Sequence, residues 1–194
     1  MPICQLPGVA FSTGPQWSTP KVIQNWPGLG ARTECKVPTL LAYDRERRMV
    51  DWGGRVERSS PELIIARLWK LSLDAKIANN APSMPSNDEA RQYFCDYLAQ
   101  LYDHTLNYFH DRFPNSAGKR FEFEFSTPTT WTDPSMIKDI ENLIHEAGWG
   151  SQPNQRVRMG VTEAEAAAIQ VSLSDQLFEK DQVILVCQYI EPSS

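Results

Sequence analysis

Apolar positions along the chain change period near Ser60. Before it they come in short runs: Gly8-Val-Ala-Phe11, Lys21-Val-Ile-Gln24, Thr39-Leu-Leu-Ala-Tyr43 and Met49-Val-Asp-Trp52. Turn signals such as Trp26-Pro27-Gly28 and Asp44-Arg45 separate them, which predicts antiparallel strands and hairpins. Beyond Ser60 helical spacing takes over. Ser60-Pro61-Glu62 predicts a helix start, with serine as the cap and proline at the first helical position. Leu63, Ile64, Leu68 and Leu71 would form its buried side. After a breaker-rich loop from Asn79 to Pro85, Ser86 or Asn87 caps the longest predicted helix. Its apolar stripe is Ala90, Tyr93, Phe94, Tyr97, Leu98, Leu101, Thr105 and Phe109, and Pro114 follows its end.

Phe121-Glu-Phe-Glu-Phe125 alternates strictly, placing three phenylalanines on one face and two glutamates on the other. Paired carboxylates can serve acid/base chemistry, but a solvated strand face produces the same pattern and is the simpler reading. Asp133-Pro134 starts a further helix with Met136, Ile137, Ile140, Leu143 and Ile144 on its buried side, ended by Gly148. Val157–Gly160 reads as a short strand, Glu163–Leu173 as a helix, and the apolar run Val183–Cys187 as a strand covered on both faces. Hairpins followed by alternating strands and helices make a mixed α/β protein.

At 194 residues the chain can bury one sizeable core, or two small lobes sharing one. With 41% apolar and 22% charged residues it is globular in composition, which excludes a mainly disordered chain. A net charge of −5 argues against nucleic acid as a partner. The basic cluster Arg45-Glu46-Arg47-Arg48 lies between two strand-like runs and reads as a solvated turn. Cys4, Cys35, Cys95 and Cys187 show no C-x-x-C spacing and no adjacent histidine. Cys95 and Cys187 sit in apolar patterns as small core residues, so a reducing, cytoplasmic setting is expected. No run is long enough for a membrane span, and the N-terminus lacks the features of a signal peptide. His104, His110 and His145 all fall on predicted helices. His104 and His110 are too far apart for a metal-binding pair on one face, so no metal site is expected. No nucleophile elbow, Walker loop or dinucleotide fingerprint occurs.

Four stretches, in order, carry a family resemblance: GVAFS (Gly8–Ser12), NWPGLGARTECKVPTLLAYD (Asn25–Asp44), FEFSTPTTW (Phe123–Trp131), and VTEAEAAAIQVSL (Val161–Leu173) followed by VILVC (Val183–Cys187). Together they resemble the fungal branch of the heat-shock 70 chaperone family, within the actin and sugar-kinase ATPase superfamily. The resemblance implies an α/β fold like lobe one of the actin-like ATPases: a mixed sheet flanked by helices, with a smaller peripheral subdomain. The whole chain, 1–194, would be one such domain. Residues 21–125 would include the peripheral subdomain, and 1–20 with 126–194 would form the sheet subdomain, joining Gly8–Ser12 to Val183–Cys187. Lys70 resembles the family's phosphate-reaching lysine, and Glu163 the glutamate that helps position water and metal.

The departures alter what the resemblance implies. Met1-Pro-Ile-Cys-Gln-Leu-Pro7 stands where the family has its first phosphate loop, and Gln188-Tyr-Ile-Glu-Pro192 where it has a glycine-rich second one. Glycine turns are what let backbone N–H groups approach a phosphate. Neither ATP binding nor ATP hydrolysis is therefore expected, and no cofactor. Two functions remain. One is a cofactor-free cyclase acting on a small apolar metabolite, since the chain is similar in type and length to norbornene-forming Diels–Alderases of sordarin-type terpenoid pathways. Such a reaction needs a held conformer and a hydrogen-bond donor rather than a nucleophile. Lys70 and Glu163 would be its polar groups, and Trp69, Trp131 and Tyr43 its walls. The other is a non-catalytic scaffold, docking on a protein through the face the second lobe covers in the family. In either case the face left by the missing lobe would be covered by a second copy or by a rearranged terminus, and a homodimer is the preferred assembly.

Overall fold

The structure, a computed structural model, describes residues 7–13, 20–30, 33–74, 78, 84–114, 118–128, 131 and 133–166. The chain divides into two compact units, Met1–Arg112 and Phe113–Ser194.

The first unit begins with the predicted hairpins. Strands β1 (Ala10–Phe11) and β2 (Lys21–Val22) pair antiparallel. Strand β3 (Leu41–Tyr43) is the centre of a three-stranded antiparallel sheet, between β4 (Met49–Trp52) and β5 (Ile64–Ala66). All three β3 residues are buried. The basic cluster is the β3–β4 turn, as its composition suggested. Asp44 Oδ1 accepts from the Arg48 amide (2.9 Å) and Oδ2 from Arg48 Nε (2.8 Å), while Arg47 takes a left-handed conformation at φ 63°.

The helix predicted from Ser60 does not form. Ile64–Ala66 is strand β5, and Trp69–Leu73 is a short 3-10 helix. Ile64 and Leu68, assigned to a buried helical face, are 39% and 47% exposed. Two causes combine. The paired β-branched residues Ile64 and Ile65 suit a strand, and the open edge of β3 offers them backbone partners. Leu68, at φ 57°, then breaks any continuous helix.

Helix α1 (Asn87–Arg112) opens with a reciprocal cap: Ser86 Oγ accepts from the Glu89 amide, and Glu89 Oε2 from the Ser86 amide, both at 3.2 Å. Asn87 Nδ2 donates to the carbonyls of Ser72 (2.8 Å) and Leu73 (3.0 Å), fastening the 3-10 helix to the start of α1. Ala90, Tyr93, Tyr97, Leu98, Leu101, Tyr102 and Thr105 form its buried side. Near its end, Phe11 of β1 meets Tyr108 and Phe109 edge-on.

The second unit is a strand–helix–strand crossover. Strands β6 (Phe121–Thr127) and β7 (Gln155–Thr162) pair in parallel, joined through helix α2 (Pro134–Glu146). Asp133 caps α2, accepting from the Ser135 amide at 2.9 Å, and Gly148 follows its end at φ 98°. Phe123 and Phe125 both meet Trp149 edge-on, at 4.9 and 5.0 Å between ring centres. Glu122 and Glu124 face solvent beside Arg156 and Arg158, so the alternating carboxylates are an exposed strand face. β7 runs longer than the predicted Val157–Gly160 and leads directly into helical residues 163–166. Thr162 caps this start, since its amide donates to Glu165 Oε2 (2.7 Å) and its hydroxyl accepts from the Glu165 amide (3.2 Å).

The described elements make a mixed α/β protein with three small sheets. Gly8–Ser12 contributes β1, which pairs with β2; the predicted strand Val183–Cys187 lies outside the described residues. Among the described residues no helix is long and apolar enough to cross a membrane.

Candidate functional site: an aromatic column on helix α1

Residues three and four apart share a helix face, and on α1 that face is ring-rich: Tyr93, Phe94, Tyr97 and His104. Each is met by a ring from elsewhere in the first unit. Tyr43 of β3 packs on Tyr93 (5.3 Å between centres). Trp69 of the 3-10 helix packs on Phe94 (6.2 Å) and Tyr97 (5.8 Å). Trp52, ending β4, meets Tyr97 (5.7 Å) and His104 (6.1 Å) edge-on, and Trp26 lies tilted over His104 at 5.1 Å.

Two glycine turns bring Trp26 and Trp52 to one histidine. Trp26-Pro27-Gly28 and Trp52-Gly53-Gly54 touch backbone to backbone. A Cβ on Gly28, at φ 79°, would overlap the Gly54 and Arg55 main chain, and one on Gly54 would meet Leu29 Cδ2 at 2.7 Å and the Pro27 carbonyl oxygen at 2.8 Å. Only glycine allows that approach.

Polar atoms on this column go unmatched. Among the described residues, Trp26 Nε1, Trp69 Nε1, Ser72 Oγ, the Tyr97 hydroxyl and His104 Nε2 are buried without a hydrogen-bond partner. All lie in the first unit, and Ser72 shares the 3-10 helix with Trp69. The Tyr97 hydroxyl lies near the Thr39 side chain without forming a well-aligned hydrogen bond to it. Burial holds the Tyr97 phenol far above its ordinary range, so it stays a neutral donor. For His104, burial is the main influence lowering its pKa, and the Arg55 cation acts in the same direction, against the Asn25 carbonyl. Its neutral ring is the favoured form.

Of the residues expected at a site, Trp69 is fully buried in the column and Lys70 stands beside it, half-buried. Tyr43 is in the core, its hydroxyl donating to Asp96 Oδ2 at 2.7 Å. Burial and the Asp96 carboxylate both raise its pKa. Gln92 and Arg47 complete that network: Gln92 Nε2 donates to Asp96 Oδ1 (2.9 Å), and Arg47 Nη1 to Glu89 (3.2 Å) and the Tyr93 hydroxyl (3.3 Å). Trp69 and Tyr43 thus both pack on α1, and Lys70 follows Trp69 in the 3-10 helix. Trp131 and Glu163 belong to the second unit, both half-buried, Trp131 in the loop after β6 and Glu163 as the first helical residue after Thr162.

The sequence pattern gives Trp26 and Trp52 no site role, and His104 is weighed there only as a metal ligand. A signal was present: each tryptophan stands two residues before a glycine, and His104 is one heptad beyond Tyr97. The column thus sets N–H and O–H groups without partners among packed rings. Among the described residues no group of histidine, cysteine, aspartate and glutamate is placed to hold a metal ion. No protein-family model, no curated protein and no solved structure matches the chain.

Proposed function

We propose that the protein binds a small, largely apolar metabolite and promotes its intramolecular pericyclic cyclisation, in the manner of a Diels–Alderase of terpenoid secondary metabolism, without nucleotide or cofactor. The observation that carries this reading is the set of buried donors left unmatched on an aromatic column. A concerted cyclisation is accelerated by holding one reactive conformer and by a donor on a conjugated carbonyl. Trp69 and Tyr43 are covered by protein, at 0% and 4% exposure, so they act as the floor of the site. Lys70, next to Trp69 in the 3-10 helix, is assigned the role of donor to the ligand, and the exposed Leu68 that of an apolar contact. The lobe-one fold of the actin-like ATPases is itself part of this proposal, which assigns no role at this site to Trp131 and Glu163 of the second unit.

Purified protein is incubated with a diene-containing terpenoid intermediate, and rate and product ratio are compared with a boiled control. Enhancement over the control supports the reading. Lys70→Ala should slow cyclisation by about 10–100-fold without abolishing it, as loss of one donor would. Calorimetry with millimolar ATP or ADP and Mg²⁺ should show no binding, and light scattering should report a homodimer. The alternative is a docking scaffold, favoured by Val50 and Ile64, exposed by 50% and 39% on the outer strands of the three-stranded sheet. Rate and product ratio equal to the control would leave that reading in place of the enzyme.

A further inference from the structure

We infer that Trp26 and His104 form a subsite for a hydroxyl group, the indole N–H donating to the hydroxyl oxygen and His104 Nε2 accepting its proton. The inference goes beyond the cyclisation reading and does not depend on it. It begins from the histidine tautomer. His104 has a ring nitrogen bonded to the Asn25 carbonyl, and Nε2 has no partner. The nitrogen facing Asn25 is therefore Nδ1. A carbonyl only accepts, so Nδ1 carries the hydrogen and Nε2 of the neutral ring presents a lone pair.

Trp26 supplies the complement. Its side chain is 4% exposed, and its Nε1–H, a donor only, is buried without a partner. The two rings are neighbours at 5.1 Å between centres, tilted by 33°, yet neither nitrogen satisfies the other. The pair thus leaves one unmet donor and one unmet acceptor on neighbouring rings. One oxygen bridging the two nitrogens would answer both with ordinary hydrogen bonds of about 2.9 Å.

Ligand chemistry follows by matching. A carboxylate would answer Trp26 but set its charge against the His104 lone pair. An ammonium would answer His104 and leave the indole N–H unmet, with the Arg55 cation close enough to act on the same ring. A carbonyl would satisfy Trp26 alone. A hydroxyl satisfies both, and it comes either from an alcohol or from water.

The test uses the full chain and heteronuclear NMR. At neutral pH the His104 ring should show hydrogen on Nδ1; hydrogen on Nε2 would overturn the inference. Titration with cyclohexanol should move the Trp26 indole N–H resonance, and methylcyclohexane, similar in shape without the hydroxyl, should not. Trp26→Phe keeps a ring but removes the donor. It should weaken cyclohexanol binding, followed at His104, by about tenfold, the loss of one hydrogen bond. Unchanged affinity in that variant would overturn the subsite. Movement with cyclohexanol assigns the hydroxyl to an alcohol ligand. Cross-relaxation between the Trp26 N–H and a long-lived water, without an alcohol response, assigns it to water. Absence of both signals refutes it. The tautomer measurement needs only the unmodified protein, so it decides even where the variant does not fold. A negative cyclisation assay would leave the subsite standing.

Discussion

Ser72→Ala should stabilise the protein. Ser72 is 0% exposed, and its Oγ is buried with no hydrogen-bond partner. A buried hydroxyl without a partner costs about 1–3 kcal/mol relative to leaving it in water. Alanine removes that cost and leaves only a gap the size of one oxygen. It also favours helical backbone over serine by a few tenths, roughly, of a kcal/mol. The backbone carbonyl of Ser72, which accepts from Asn87 Nδ2, is untouched. The net gain is about 1 kcal/mol, a rise in Tm of roughly 2–8 °C for domains of this size range. Urea denaturation followed by circular dichroism measures it directly, with an unchanged m-value showing that the unfolded state is not the cause. Thr105→Ala is the control. Thr105 is equally buried, but its Oγ1 donates to the Leu101 carbonyl at 2.7 Å, so truncation should destabilise by about 1–2 kcal/mol. A Ser72→Ala protein less stable than the parent by 1 kcal/mol or more, roughly the net worth of one hydrogen bond, would mean that the hydroxyl is bonded after all. The account of the column as a set of unmet donors would then fail at its best-defined position.

Asn87→Ala removes both hydrogen bonds that fasten the 3-10 helix to α1, and should cost about 1–3 kcal/mol by denaturant titration. Gly28→Ala, with φ at 79° and a Cβ overlapping the Gly54–Arg55 backbone, should destabilise by about 3 kcal/mol or more. Gly30→Ala, at φ 60° in open space, should cost only about 1 kcal/mol. The pH dependence follows from His104, whose folded pKa lies below its ordinary value of 6.5. Between the two values the unfolded chain binds more protons, so stability is full above pH 6.5 and falls as pH drops below it, levelling once the folded ring is protonated. His104→Phe should flatten that window; an unchanged profile would assign the dependence to another group. The lowered carboxylates Asp44, Glu89 and Glu165 act further into acid, below their ordinary values of 3.8 and 4.5.

The elements legible in the sequence are those set by neighbours along the chain. Ser86 or Asn87 announced α1, and Asp133-Pro134 announced α2, because a cap acts within the first turn of its own helix. The alternation in Phe121–Phe125 likewise reported its own two faces. Ile64 and Leu68 misled because their spacing is helical while their fate was decided by the open edge of β3, more than twenty residues upstream. The column was illegible for the same reason. Trp26 and Trp52 reach His104 only because two turns pack on each other, a contact that no local pattern encodes. Of the expected site residues, Trp69 and Tyr43 pack on the helix, while the polar atoms that define the column sit mostly on residues that looked structural.

The contact between the two turns also limits how this chain can diverge. Trp26-x-Gly28 and Trp52-x-Gly54 have the same form, and each glycine faces the main chain of the other turn. Neither triplet can drift alone. A search for distant kin is therefore better keyed to two W-x-G triplets ahead of a helix carrying an aromatic residue and, one heptad later, a histidine than to overall identity. Kin found this way would share the packing of the first unit even where every surface position has changed.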